Sequence, residues 1–248
     1  MKPLVDRTLA TISPAGEENV PVEVGAPDYR EGSICESWDV PGVHAVDAPE
    51  ALTSIARPDC DAVIWQRAPL ASFQTWIDTL APEKLPAARL ILRPAQVHAA
   101  VQQCCDLAGT PDDAERARLV DDVTALAHVF ADSMGVPFVR VRLDVVTGNA
   151  CSKFHTDAVR ARLICTYRGT GTQVGRLGAD AARGTEPEDV RTVPTSAPMI
   201  LRGTLWPSTH TTRLLHRSPP IKGTGETRLL LVLDPVEDTF AEIDHTRH

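Results

Sequence analysis

The 248 residues carry 33 acidic against 25 basic side chains, a formal net charge of −8. That balance weighs against nucleic acid as a partner, because phosphate binding needs a positive surface. No run of about 18 apolar residues exists to span a membrane, and the opening "MKPLVDRTLATISPAGEENV" lacks the apolar centre of a secretory leader, so a cytoplasmic protein is expected.

Residues 1–32, rich in Pro, Gly and Glu, predict a loosely ordered arm. Residues 33–136 read as a mostly helical region. "PLASFQTWIDTL" spaces Leu70, Phe73, Trp76, Ile77 and Leu80 by threes and fours, and "AQVHAAVQQCCDLAG" repeats the habit before Gly109, a C-cap candidate. A longer helix is expected from Thr110, with Thr110 as cap and Pro111, Asp112 and Asp113 in the first turn. Val120, Val123, Ala127, Phe130 and Met134 line one face of it, and Gly135 ends it. "DAVIWQ" and "ARLILRP" read as short strands between the helices.

The period changes to two after Pro137. "FVRVRLDVV" puts Val139, Val141, Leu143 and Val145 on one face and Arg140, Arg142 and Asp144 on the other. "RARLICTY", "APMILRG" and "TRLLLVLD" are further strands, the last apolar enough to be covered on both sides. Residues 137–248 therefore predict a β-sandwich or jelly roll, and the whole chain an α+β fold.

Six cysteines (Cys35, Cys60, Cys104, Cys105, Cys151 and Cys165) show no C-x-x-C spacing. The adjacent Cys104 and Cys105 read as small buried residues rather than a redox pair, and neither disulfide stapling nor a zinc knuckle is expected. No G-x-S-x-G elbow, phosphate-cradling G-x-x-x-x-G-K or H-E-x-x-H occurs.

The chemistry concentrates in "CSKFHTDAVRARL". Residues two apart on a strand point the same way, so His155 and Asp157 offer an imidazole and a carboxylate from one face. His216, in "LLHRSPP", supplies a third donor, and Arg228 opens the final strand. Two histidines and one carboxylate leave coordination positions open, which suits non-haem iron(II). An arginine nearby suits a dicarboxylate through two parallel hydrogen bonds. His210 is a rival third ligand, ranked below His216 because no arginine-led strand follows it. Cys151, four residues before His155, is a candidate fourth ligand that would favour zinc, with a buried small residue preferred. Arg160 and Arg162 alternate on the next strand, where they line an anionic mouth or simply a wet face.

The order H-x-D, distal H, then R resembles the iron(II)/2-oxoglutarate-dependent oxygenases, through "HTD" and "LHRSPPI…TRLLLVLD" over roughly Phe138 to Asp234. The resemblance implies a double-stranded β-helix, a jelly roll buttressed by the N-terminal helices. It implies His155, Asp157 and His216 as iron ligands and Arg228 as the group holding the far carboxylate of 2-oxoglutarate. Tyr167, Thr166 and Arg142 are the candidates for a second oxoglutarate-holding group. A small molecule, a peptide or a nucleobase is open as substrate, with the acidic charge weighing against the last. The run "FHTD…RLICTYRGTGTQ…LHRSPP" also resembles an uncharacterised bacterial family of unknown function, grouped with zinc-homeostasis genes. That likeness keeps open a zinc-binding metal-homeostasis protein without turnover; a jelly-roll binding module with no metal is a third reading.

Overall fold

A computed structural model describes residues 38–178, 181, 185–187, 189–208 and 211–239. The expected N-terminal arm, Cys35 and His210 lie outside the described residues.

Strands β1 (Val43–Val46) and β2 (Ala62–Trp65) flank a 3-10 turn at Pro49–Ala56, and helix α1 (Ala71–Thr79) follows. Strand β3 (Ala88–Leu92) leads into α2 (Val97–Ala108) and α3 (Ala114–Met134). The remaining strands are β4 (Phe138–Val146), β5 (Ala161–Arg168), β6 (Gln173–Arg176), β7 (Arg191–Thr192), β8 (Met199–Arg202), β9 (Leu214–Arg217) and β10 (Arg228–Val236).

The strands form a seven-stranded sheet in the order β1-β2-β8-β5-β10-β4-β3 and a three-stranded sheet in the order β7-β6-β9. All pairings in the large sheet are antiparallel except β1 with β2. Strands β2 and β3 fall within "DAVIWQ" and "ARLILRP", where short strands are expected, and β3 forms one edge of the large sheet; the other edge, β1, is a strand that the sequence pattern does not predict.

Alternation in the strands decides which layer each side chain meets. Leu229, Leu231 and Leu233 of β10, with Leu163, Cys165 and Tyr167 of β5, pack on Val120, Val123, Ala127 and Phe130 of α3. On the opposite face Ile64, Ile164, Met199 and Leu201 pack against Val174 and Leu214 of the small sheet. The large sheet is therefore covered on both sides, which explains the unbroken apolar run of β10. No helix among the described residues is long and apolar enough to cross a membrane.

The long helix starts later than its sequence suggests. Asp113, in extended conformation, is its N-cap, and its carboxylate accepts from the backbone N–H groups of Glu115 and Arg116 at 3.1 and 2.9 Å. Thr110 donates instead to the carbonyl of Lys84 at 2.7 Å, so its hydroxyl ties the preceding loop down. Gly109 and Gly135 end α2 and α3 in the left-handed conformation, as their spacing predicts.

Candidate metal centre

"FHTD" does not build a regular strand. It makes one antiparallel bridge, in which His155 and His216 exchange both backbone hydrogen bonds, at 3.0 and 2.9 Å. Directly opposed residues in such a pair project to the same side. The two imidazoles accordingly lie with ring centroids 4.5 Å apart. Asp157 follows on the loop before β5, where its carbonyl accepts from the N–H of Thr204 at 2.9 Å. That bond fixes the backbone from which the carboxylate turns toward both rings.

Nε2 of His216 stands 3.1 Å from Asp157 Oδ2, and Nε2 of His155 stands 3.4 Å from Oδ1. One donor atom from each of the three residues falls within 4.8 Å of the others. Ligands bound at about 2.1 Å and at right angles are about 3.0 Å apart, so the set needs little movement to close on a divalent cation. Nδ1 of His155 lies 2.9 Å from the carbonyl of Lys153. Donation there leaves Nε2 as the basic nitrogen, the arrangement that orients metal-binding imidazoles. Burial lowers the pKa of His216, which keeps that ring neutral and able to bind metal. The carboxylate of Asp157 raises that of His155. Burial pushes the Asp157 carboxyl up, but both imidazoles and Arg162 outweigh it and hold the group well below the usual carboxylate range.

Arg162 is the hinge of the charge network. Its Nη1 reaches Asp157 Oδ1 at 2.7 Å, and its Nε and Nη2 grip Asp234 at 2.6 and 3.0 Å. Asp234 is only 3% exposed, and Arg140 and Arg142 approach it at 3.8 and 3.9 Å. The sequence leaves Arg162 as either a mouth or a wet-face residue and passes over Asp234. The signal for Asp234 is a lone carboxylate closing "LLLVLD", a charge that a covered strand keeps only with a partner.

Arg228 is 0% exposed. Its Nε donates to the carbonyl of Thr170 at 2.6 Å, while Nη1 and Nη2 have no partner among the described residues. Burial pushes its pKa down to about 10. Thr170 lies four residues before Val174, which is the register partner of His216. Arg228 also shares a face of β10 with Leu230, Val232 and Asp234, by the strand's alternation. Gly169 leaves room for it: φ is +78°, and a Cβ there would meet the Arg228 Cγ at 2.9 Å.

Other candidates fall elsewhere. Tyr167 is turned to the helical side, where its hydroxyl donates to Asp122 of α3 at 2.6 Å, away from the cluster. One position along β5 reverses the face, and Thr166 takes the side of the cluster. Arg142 is on that side too, but opposite Val232, four residues from Arg228. Cys151 is exposed rather than buried, and it stays outside the three-residue cluster, its carbonyl bonded to the N–H of Ser218 at 2.9 Å. Arg160 is drawn to Glu237 and to the carbonyl of Met134, away from the site.

Residues 46–234 match a family model described as a protein of unknown function, DUF1826. No curated protein matches the sequence. Similar solved structures include dioxygenase for auxin oxidation 1 from Arabidopsis thaliana in complex with 2-oxoglutarate. It is 13% identical over 81% of this chain and 94% of that one, with a TM-score of 0.45. A full-length Neurospora crassa protein in complex with alpha-KG is 10% identical over 75% and 77%, with a score of 0.38. A Pseudomonas putida prolyl-4-hydroxylase is 11% identical over 82% and 99%, with a score of 0.35. Scores below 0.5 at such identities decide nothing about chemistry, which has to come from the side chains themselves.

Proposed function

Because the chain belongs to the DUF1826 family of proteins of unknown function, whose description names no chemistry, we propose a function from the site: an iron(II)- and 2-oxoglutarate-dependent oxygenase acting on a small molecule or peptide. We read residues 137–248 as a jelly roll buttressed by residues 33–136. Strand alternation supports this: β4, β5, β8 and β10 belong to the large sheet, while the His155 bridge, β6, β7 and β9 belong to the small one. His155, Asp157 and His216 are the proposed ligands, and the open side of such a set admits a chelating cosubstrate.

The observation that carries the reading is Arg228. A guanidinium with no exposure and two nitrogens unpartnered among the described residues is costly unless an anion completes it. The far carboxylate of 2-oxoglutarate fits that need through two parallel hydrogen bonds. Bound iron(II), with 2-oxoglutarate and dioxygen, supplies an oxidant for a C–H bond and leaves succinate and carbon dioxide. The chain's own work is to hold both ends of the cosubstrate. His155, Asp157 and His216 fix the cation, Arg162 steadies Asp157, and Arg228 fixes the distal acid.

Succinate formation tests this. Full-length protein loaded anaerobically with iron(II), then given 2-oxoglutarate and air, is expected to release succinate even without a primary substrate. Arg228→Met should lower that release through a raised KM for 2-oxoglutarate. Tight zinc with no succinate from the iron-loaded protein would instead favour a metal-handling role.

A further inference from the structure

Resting on the reading of Arg228 as the anchor of 2-oxoglutarate, we propose that Glu226 is a positioning residue: acting through Thr170, it fixes the guanidinium of Arg228 and so sets the length of dicarboxylate that the site accepts. Two Gly-Thr-Gly turns meet here, "RGTGT" at 168–172 after β5 and "KGTGE" at 222–226 before β10. The carboxylate of Glu226 accepts from the backbone N–H of Thr170 at 2.6 Å and from the Thr170 hydroxyl at 3.0 Å. The carbonyl of Thr170 accepts from Arg228 Nε at 2.6 Å. Glu226 and Arg228, two apart in the chain, therefore clasp one residue from both sides.

Neighbouring bonds hold both turns in place. The Gly169 carbonyl accepts from the Thr195 hydroxyl at 3.1 Å, and the Thr172 carbonyl accepts from the N–H of Val193 at 2.9 Å. On the other turn, the Thr224 hydroxyl accepts from the N–H of Glu226 at 3.1 Å and donates to the carbonyl of Ile221 at 2.8 Å. The approach is close: a Cβ on Gly169 would stand 2.8 Å from Glu226 Oε1. An arginine side chain carries about 2 kcal/mol of rotamer entropy, and one held at Nε has lost much of it before a ligand arrives. Nη1 and Nη2, which have no partner among the described residues, are then presented as a fixed pair to a carboxylate. Burial pushes the Arg228 pKa down to about 10, and the charge of Glu226 opposes that fall.

Length enters because both turns lead to the metal ligands. The turn of Thr170 runs into β6, where Val174 is the register partner of His216. The turn of Glu226 follows β9, which carries His216, and leads into β10, which Arg228 opens. His216 is itself bridged to His155. Backbone hydrogen bonds thus tie the guanidinium to both imidazoles. With the keto-acid end held at the cluster and the far acid at Arg228, the gap between them suits one chain length. Released from Thr170, the arginine regains its rotamers, loses its fixed reach and tolerates a longer diacid.

Calorimetric titration of the full-length, manganese(II)-loaded protein with 2-oxoglutarate, and separately with 2-oxoadipate, one methylene longer, tests the clasp. The wild type is expected to prefer 2-oxoglutarate about tenfold or more, as a site fitted to one chain length does. Glu226→Ala should weaken 2-oxoglutarate about tenfold and 2-oxoadipate much less, so that the preference collapses. Manganese(II) affinity should stay as in the wild type, a readout that general damage to the fold would move. Glu226→Gln can keep both bonds through its amide and should restore the preference. Thr170→Val, at an exposed position, removes the hydroxyl bond alone. It should shift the preference the same way by less, and serves if Glu226→Ala does not fold. An unchanged preference in Glu226→Ala, an equal loss for both diacids, or a fall in manganese(II) affinity overturns the clasp and leaves the oxygenase reading standing. So does a wild type that binds both diacids alike, or a Glu226→Gln as weak as Glu226→Ala. A wild type that binds neither diacid overturns the oxygenase reading and the clasp together.

Discussion

Asp157 has two carboxylate oxygens and three neighbours competing for them. Arg162 takes Oδ1 at 2.7 Å, His155 faces the same oxygen at 3.4 Å, and His216 faces Oδ2 at 3.1 Å. Holding one oxygen on a guanidinium presents the other to a cation in a fixed direction, which is what outer partners of a metal ligand do. Arg162→Met is expected to lower manganese(II) affinity about 10- to 100-fold, read by calorimetry. It should also cost about 1–3 kcal/mol in a urea melt, because Asp234 loses its two-bond partner. Unchanged metal affinity in that variant would remove Arg162 from the site. The three cluster residues are legible in the sequence because their chemistry shows in residue type and order: H-x-D, then a histidine before a turn. Asp234 and the double role of Arg162 are not, because they arise from register between strands, joining residues 72 apart in the chain.

Strand β5 shows how much one step of register decides. Arg162 faces the cluster, whereas Tyr167 faces α3 and joins a buried network. There Asp122 receives the Tyr167 hydroxyl at 2.6 Å and both terminal nitrogens of Arg67 at 2.7 Å. Burial pushes the Tyr167 phenol well above its ordinary pKa, so it stays a neutral donor. The network pins helix to sheet behind the site. Tyr167→Phe should therefore cost about 1 kcal/mol of stability and leave the affinity for 2-oxoglutarate unchanged. A large loss of affinity with no loss of stability would return Tyr167 to the site. The long helices, the runs of β4 and β10 and the capping glycines can be read from spacing alone. Short strands such as β1, β6 and β7 cannot, since two to four residues hold too little pattern and owe their place to neighbours. The start of α3 is hidden for a related reason: Thr110 and Asp113 are both good caps, and Lys84, far away in sequence, claims the first.

Taken whole, the molecule is a large sheet with helices on one face and a small sheet on the other. The helical face is closed and apolar apart from the Arg67–Asp122–Tyr167 network. The other face carries Arg142, Arg162, Asp234 and Arg228, with His155 and His216 facing Asp157 from the bridge alongside the small sheet. Buried nitrogens of Arg142 and Arg228 that have no partner among the described residues are arranged to receive an anion there. The central claim is that one cation and one dicarboxylate share this interior. The most direct measurement is the visible spectrum of anaerobic, iron(II)-loaded protein titrated with 2-oxoglutarate. The account predicts a weak charge-transfer band that saturates at one equivalent of each and is lost in His216→Ala. Iron bound stoichiometrically with no band and no 2-oxoglutarate uptake would contradict it.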